Sequence, residues 1–161
     1  MSVDNALQWS IKMTDSVMKR HNPVANSFNY EAGLLLKAIE KMWSKTNDRK
    51  YFDYVKRNMD VLVDKDGNIA KFKMETYNID FINAGKVLFR LYKETGEEQY
   101  KKAMFTLRQQ LQDHPRTSEG GFWHKKRYPH QMWLDGIYMG SPFYAEFALT
   151  FGEPEKLDDV A

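Results

Sequence analysis

A chain of 161 residues, 42% hydrophobic, 14% aromatic and 29% charged, is neither a disordered tail nor a membrane protein, and it has room for one domain with its own core. With 24 Lys and Arg against 22 Asp and Glu its net charge is +2, too balanced for a protein built around nucleic acid; with no cysteine it has no disulfide, thiolate metal site or cysteine nucleophile. No apolar run approaches the roughly 20 residues of a membrane helix, and MSVDNALQWSIKM lacks the basic start and apolar block of a signal peptide, so the expected setting is soluble and cytoplasmic.

The hydrophobic period is helical nearly throughout. Residues 30–45 place Leu34, Leu35, Ala38, Ile39 and Met42 on one broad apolar face. Residues 80–94 repeat the pattern as one helix with Phe81, Ala84, Val87, Leu88 and Leu91. Residues 97–112 align Tyr100, Met104, Leu107 and Leu111. Residues 136–151 are apolar almost all round, which predicts a helix buried on several sides, with Pro142 imposing a kink or a late start near Ser141. Trp9 and Trp43 sit in helical stripes and are expected in the core. No stretch alternates with period two. The expectation is an all-α protein of six or seven helices.

The turns carry a repeat. Thr46-Asn47-Asp48 and Thr95-Gly96-Glu97 each end a helix with a residue that tolerates positive φ and open the next with an acid. Asp64-Lys65-Asp66-Gly67-Asn68 is a tight turn with Gly67 at the positive-φ position. Ala32-Gly33 recurs as Ala84-Gly85 after 52 residues, and TNDRKY (46–51) recurs as TGEEQY (95–100) after 49. Phe151-Gly152-Glu153 starts a third copy, whose second helix would begin at Pro154-Glu155-Lys156-Leu157. The unit is a helical hairpin of roughly 50–55 residues. Such hairpins stack as an open solenoid or curl into a toroid, and small, apolar first helices beside charged second helices (50–63, 97–112) favour the toroid.

Aligned on Gly85 and Gly140, Asp80 and Asp135 occupy the same place, five residues earlier, at the starts of two inner helices; Phe28 is the first-repeat counterpart. Packed helices sit roughly 8–10 Å apart, so both carboxylates should face one mouth of the toroid. Asp is also a favoured N-cap, and capping alone would account for each residue singly. The repeat equivalence and the apolar neighbours Trp133, Leu134 and Ile137 favour a partly desolvated acid/base pair instead. The segment 114–134 holds three of the four histidines, Trp123 and Trp133, and reads as a long return loop over that mouth. His124, Trp133 and Asp135 are taken as functional, the Trp face as a platform for sugar C–H surfaces. His114 and the run Lys125, Lys126, Arg127 are taken as a structural residue and a solvated basic face. His spacings of ten and six match no common helical ligand pair, so no metal is expected, and Gly120-Gly121 has no phosphate-binding context.

The stretch RTSEGGFWHKKRYPHQMWLDGIYMGSPFYAEFA (116–148) closely resembles the signature of the unsaturated rhamnogalacturonyl hydrolases, glycoside hydrolase family 105; residues 28–42, 77–100 and the 64–67 turn resemble the family in the same order. The resemblance implies an (α/α)6 toroid. It implies removal of the terminal 4,5-unsaturated uronic acid that lyases leave on pectin-type oligosaccharides, by protonation of C4=C5, addition of water at C5 and ring opening, with no metal or organic cofactor. It places Asp135, in WLDG, as general acid/base and Asp80 as the second active-site Asp. His124 and Trp133 would line the uronate subsite, with Arg116, Gln131, Met132, Asn29 and Tyr30 as further substrate contacts. The partner is an unsaturated uronide oligosaccharide, neither nucleic acid nor membrane. Competing readings are a non-catalytic helical scaffold that binds carbohydrate or protein, an unsaturated glucuronyl hydrolase acting on glycosaminoglycan fragments, and a sugar epimerase.

Three hairpins at most fit in 161 residues, whereas the toroid needs six. Residues 1–161 are therefore expected to form the N-terminal portion of one toroid domain, weakly active or inactive alone. Apolar inner-helix surface around Leu34, Val87 and Phe143 is expected to drive self-association.

Overall fold

The protein is described over residues 3–160 by a computed structural model; Met1, Ser2 and Ala161 lie outside that range. The chain is all-helical: α1 Val3–Arg20, α2 Tyr30–Thr46, α3 Arg49–Leu62, α4 Asp80–Gly85, α5 Leu88–Thr95, α6 Glu98–Asp113, α7 Leu134–Phe151 and α8 Leu157–Val160, with single 3-10 turns at Met74–Thr76 and Pro154–Lys156. Counting α4 and α5 as one interrupted helix gives seven among the described residues. Isolated bridges tie Val63 to Ile69 and Arg116 to Phe122.

Local chemistry sets the hairpins. Asn29 is extended and its Oδ1 accepts the Ala32 N–H at 2.9 Å, starting α2. Asn47, Gly96 and Gly152 end α2, α5 and α7 in the left-handed region, at φ 54°, 69° and 80°. Gly67 takes φ 87° in the turn after α3. Asp48, with Oδ1 accepting from Lys50 N at 3.0 Å, opens α3.

The inner helices α2, α4 and α7 lie side by side, with α3 against α2 and α6 against α5. Glycine makes the inner row possible. A Cβ on Gly33 would stand 2.5 Å from Ala84 Cα, and one on Gly85 would meet Leu107 Cδ1 at 2.5 Å and Phe143 at 2.8 Å. Leu36, Ile39, Leu62, Ile82, Leu107 and Phe147 fill the shared core. Helix α1 is tied on by Asp15, which accepts from Lys50 Nζ and the Tyr51 hydroxyl at 3.1 Å each.

Five expectations are corrected. The single helix at 80–94 is interrupted at Lys86–Val87, where i to i−3 bonds replace the α ladder; Leu107 and Phe143 press on Gly85 there, and Lys86 is drawn toward α7. Helix α7 begins at Leu134 and continues through Pro142, so there is no late start near Ser141. Proline removes the N–H that would satisfy Tyr138 O, and Lys86 Nζ donates to that carbonyl instead, at 3.1 Å. Burial of α7 is one-sided: Met139, Phe143 and Phe147 are inside, while Ile137, Tyr138 and Leu149 are exposed. Finally, Trp43 is in the core but Trp9 is 60% exposed on α1. Of the three residues expected on an open apolar face, Val87 and Phe143 are fully buried and only Leu34 is exposed, because the core between inner and outer helices already claims the other two.

Candidate active site

The segment 114–133 is pinned from both ends. His114 donates from Nε2 to Trp123 O at 2.7 Å, and Thr117 N–H bonds Gly121 O at 2.8 Å. The far limb docks on the segment before α4, through Ile79 N–H to His124 O at 3.1 Å and Lys126 N–H to Thr76 O at 3.1 Å. That docking carries His124 and Lys125 to the first residue of α4, Asp80. Asp135 comes from the first turn of the neighbouring α7.

Asp80, His124 and Asp135 each offer a polar atom within 4.8 Å of the others. His124 Nε2 lies 3.5 Å from Asp80 Oδ1, and Lys125 Nζ lies 2.7 Å from Asp80 Oδ2. Asp80 and His124 are buried and Asp135 is exposed. Neither carboxylate caps its helix: Asn78 Oδ1 accepts the Asp80 N–H at 3.1 Å, and no side-chain cap closes α4 or α7. Capping therefore does not account for the pair. The expected desolvation of Asp135 is corrected: Asp135 is exposed, and its neighbour Leu134 stands 86% exposed beside it.

Burial lowers the His124 imidazole below its ordinary value, against the raising pull of Asp80 and Asp135; Lys125 lowers it further. His124 is thus neutral at pH 7. Its Nδ1 is buried without a protein partner and is 3.9 Å from where a Cβ on Gly136 would sit, at the start of α7. An unpartnered buried ring nitrogen in a residue whose other nitrogen faces Asp80 is an unmet hydrogen-bonding demand at the site. Asp80, His124 and Asp135 could also hold a cation, but the Lys125 ammonium already occupies one oxygen of Asp80.

Trp133 is part of an aromatic stack at the site. Its ring stacks on His124 at 4.0 Å and 10° and on Tyr128 at 5.2 Å and 21°. These contacts hold the His124 plane, and Trp133 stays 40% exposed at the edge of the site. Gln131 supports this stack, accepting from Trp133 Nε1 at 3.0 Å and, through its carbonyl, from His124 N at 2.7 Å.

The remaining candidates divide. Met132 packs on Gly121 and lines a cleft of about 410 Å³ with Ile79, Trp133 and Gly136. Arg116 borders that cleft, but its guanidinium is held by Gly120 O and Asp159, each at 2.6 Å. Asn29 is committed to capping α2. Tyr30 is exposed above α4, its carbonyl accepting from Asn83 Nδ2 at 2.9 Å; its phenol is raised mainly by Glu31 and also by Asp80, which places it in the field of the site.

Lys125, expected on a solvated basic face, is instead paired with buried Asp80, and Tyr128 was not singled out from the sequence. Lys125 had a legible signal: a buried carboxylate needs a cation, and the adjoining HKKR run supplies the nearest ones. His114, by contrast, is structural as expected, packed edge-on against Tyr77 and Phe122.

The family model of Glycosyl Hydrolase Family 88 matches residues 4–161. A solved structure of a glycoside hydrolase from family 105 of C. acetobutylicum ATCC 824 is 47% identical, with a TM-score of 0.90 over 94% of this chain. This chain covers 42% of that one. Among the described residues, no helix is long and apolar enough to cross a membrane.

Proposed function

The chain belongs to glycosyl hydrolase family 88, and on that premise we propose that it removes a terminal 4,5-unsaturated uronic acid from rhamnogalacturonan-type oligosaccharides. The observation that carries this reading is the convergence of Asp80, His124 and Asp135 within 4.8 Å, with an ammonium on the buried member of the pair. The 47% identity to a family 105 hydrolase favours the pectin-type substrate over glycosaminoglycan fragments.

In this reading Asp135, exposed in the first turn of α7, gives its proton to C4. The electrons of the C4=C5 bond form the new C–H bond, and the cation left at C5 is shared with the ring oxygen. Water adds at C5 as the same carboxylate takes its proton. The C5 hemiketal opens to a ketone, and the hemiacetal at C1 collapses to an aldehyde and releases the remaining sugar. Asp80 and Lys125 fix the polar surroundings of that step, and His124 Nδ1 is open to a sugar hydroxyl or carboxylate. The chemistry calls for no metal or organic cofactor.

Residues 1–161 are further proposed to form the N-terminal portion of an (α/α)6 toroid, in keeping with their 42% coverage of the family 105 structure. Leu34, Ile137 and Tyr138, 46–52% exposed, supply apolar surface through which the chain self-associates; a strictly monomeric species on sizing overturns that. The chain alone is weakly active or inactive, so the decisive assay uses the polypeptide that completes the toroid. Unsaturated rhamnogalacturonan disaccharide should lose its double-bond ultraviolet absorbance, and Asp135→Asn should abolish that loss with circular dichroism unchanged. A near wild-type rate in Asp135→Asn removes Asp135 from the acid/base role.

A further inference from the structure

We infer that Gln110, on the outer helix α6, is a positioning residue for the candidate active site: acting through Asn78, it fixes the turn of backbone that aims Asp80 at His124 and Lys125. The inference rests on the placing of Asp80 in the acid pair above, and it adds a residue that itself touches neither carboxylate.

Gln110 is an unusual choice for its place. It is fully buried, among apolar Ala103, Leu107 and Leu111 of the same helix. Its Nε2 donates to Asn78 O at 3.0 Å, while its Oε1 is buried without a hydrogen-bond partner. A buried amide with one end unmet costs stability, and an apolar side chain of similar length would avoid that cost. What the amide supplies instead is one directed bond from the outer layer to the segment before α4.

That segment is where the site is assembled. Asn78 O accepts from both Gln110 Nε2 and the Phe81 N–H, the latter at 3.2 Å, so Gln110 holds the carbonyl that closes the first turn of α4. Asn78 Oδ1 accepts the Asp80 N–H at 3.1 Å. Between them the Ile79 N–H reaches His124 O at 3.1 Å. The Ile79 side chain lies against α7, where a Cβ on Gly140 would stand 2.9 Å from Ile79 Cδ1. Residues 78 and 79 are thus tied to α6, to the return loop and to the helix that carries Asp135, and Asp80 is the next residue along.

The placing matters because the Asp80 contacts are short-ranged. Lys125 Nζ lies 2.7 Å from Oδ2, and His124 Nε2, at 3.5 Å from Oδ1, is at the margin of a hydrogen bond. A small displacement of the 78–80 turn changes both. An apolar residue at position 110 would fill the core and leave that turn free to move.

The test is NMR of the 1–161 chain, with the His124 ring titration as reporter. Asp80 and Asp135 raise that imidazole, while burial and Lys125 lower it. Gln110→Met should therefore move the titration down, the direction expected of Asp80→Asn, and the Lys125 ammonium resonance should broaden as its pair loosens. General loosening of the fold would do the opposite, because a re-solvated ring titrates higher. In Asp80→Asn the Gln110→Met change should cause no further shift. Asn78→Ala, which keeps the carbonyl but removes the Oδ1 bond to Asp80, should also move His124 down, and it decides the matter if Gln110→Met does not fold. Leu111→Ala, a core truncation beside Gln110, should lower thermal stability without lowering the His124 titration. An unchanged or raised titration in Gln110→Met or in Asn78→Ala, or a downward shift that persists in Asp80→Asn, overturns the positioning role. None of these readouts uses turnover, so that failure leaves the uronide reading standing; the uronide reading fails separately, in the disaccharide absorbance assay.

Discussion

Lys125 Nζ lies 2.7 Å from Asp80 Oδ2, while His124 Nε2 approaches the other oxygen of the same carboxylate at 3.5 Å. Adjacent residues of one loop thus grip a buried acid that starts a helix of another segment. The arrangement predicts opposite shifts at one reporter. Lys125 lowers the His124 imidazole and Asp80 raises it. In Lys125→Met the His124 titration should therefore move up, and in Asp80→Asn it should move down. Histidine ring resonances followed by NMR across pH 4–8 give both values; shifts of the same sign in the two variants would refute the pairing.

The bond from Lys86 to Tyr138 O answers the missing N–H of Pro142. Lys86 is buried, and desolvation first, then Lys37 and Lys41, lower its ammonium to about 8. A charged lysine is thus kept inside because a carbonyl needs it. Lys86→Met should cost about 1 kcal/mol more in the native background than in Pro142→Ala, where a restored N–H can serve Tyr138. A double-mutant cycle by urea unfolding measures the difference, and strict additivity would show that Lys86 does not act through Pro142.

These two contacts mark where the sequence was legible and where it was not. The hairpin periods, the turn residues Asn47, Gly67, Gly96 and Gly152, and the equivalence of Asp80 and Asp135 all follow from local pattern. Local pattern reports spacing along a helix, so it finds which residues share a face. It does not report what a loop will bring back from 45 residues away, which is why Lys125 read as a solvated charge. Nor does apolar character alone tell an inward face from an open one. Val87 and Leu34 look alike in sequence, yet one is fully buried and the other 52% exposed. Trp133 was placed at the site by its motif, but only the packed rings show that it stacks on His124 and Tyr128.

Gly33 sets the spacing of the helix that carries Asp80. A Cβ there would stand 2.5 Å from Ala84 Cα and 2.7 Å from Ala84 N, both backbone atoms that cannot swing aside. Gly33→Ala should therefore destabilise the protein despite its gain in helix propensity of about 1 kcal/mol, because overpacking typically costs about 1–3 kcal/mol. Gly136 is the internal control. Its added Cβ would find nothing nearer than 3.7 Å, so Gly136→Ala should be neutral or stabilising. Thermal unfolding of the two variants should diverge, and a Gly33→Ala protein as stable as the parent would mean that α2 and α4 can separate without cost.

His114 makes stability depend on acid. It is buried at the end of α6 with Nε2 donating to Trp123 O, and burial lowers its imidazole to about 4 from an ordinary value of 6.5. Between those values the unfolded chain binds a proton that the folded chain refuses. Stability is therefore intact above pH 6.5 and falls as the pH drops toward 4, by up to about 3 kcal/mol from this residue. The lowering of His124 adds a loss of the same sign. Protonated His114 could no longer fit between Tyr77 and Phe122 without desolvating its charge, so the return loop that carries His124 and Lys125 should loosen first. Amide exchange across residues 114–131 at pH 7 and pH 4.5 should show that loop losing protection before α3 or α6. A His114 ring that titrates near 6.5 in the folded protein would remove the basis for this ordering.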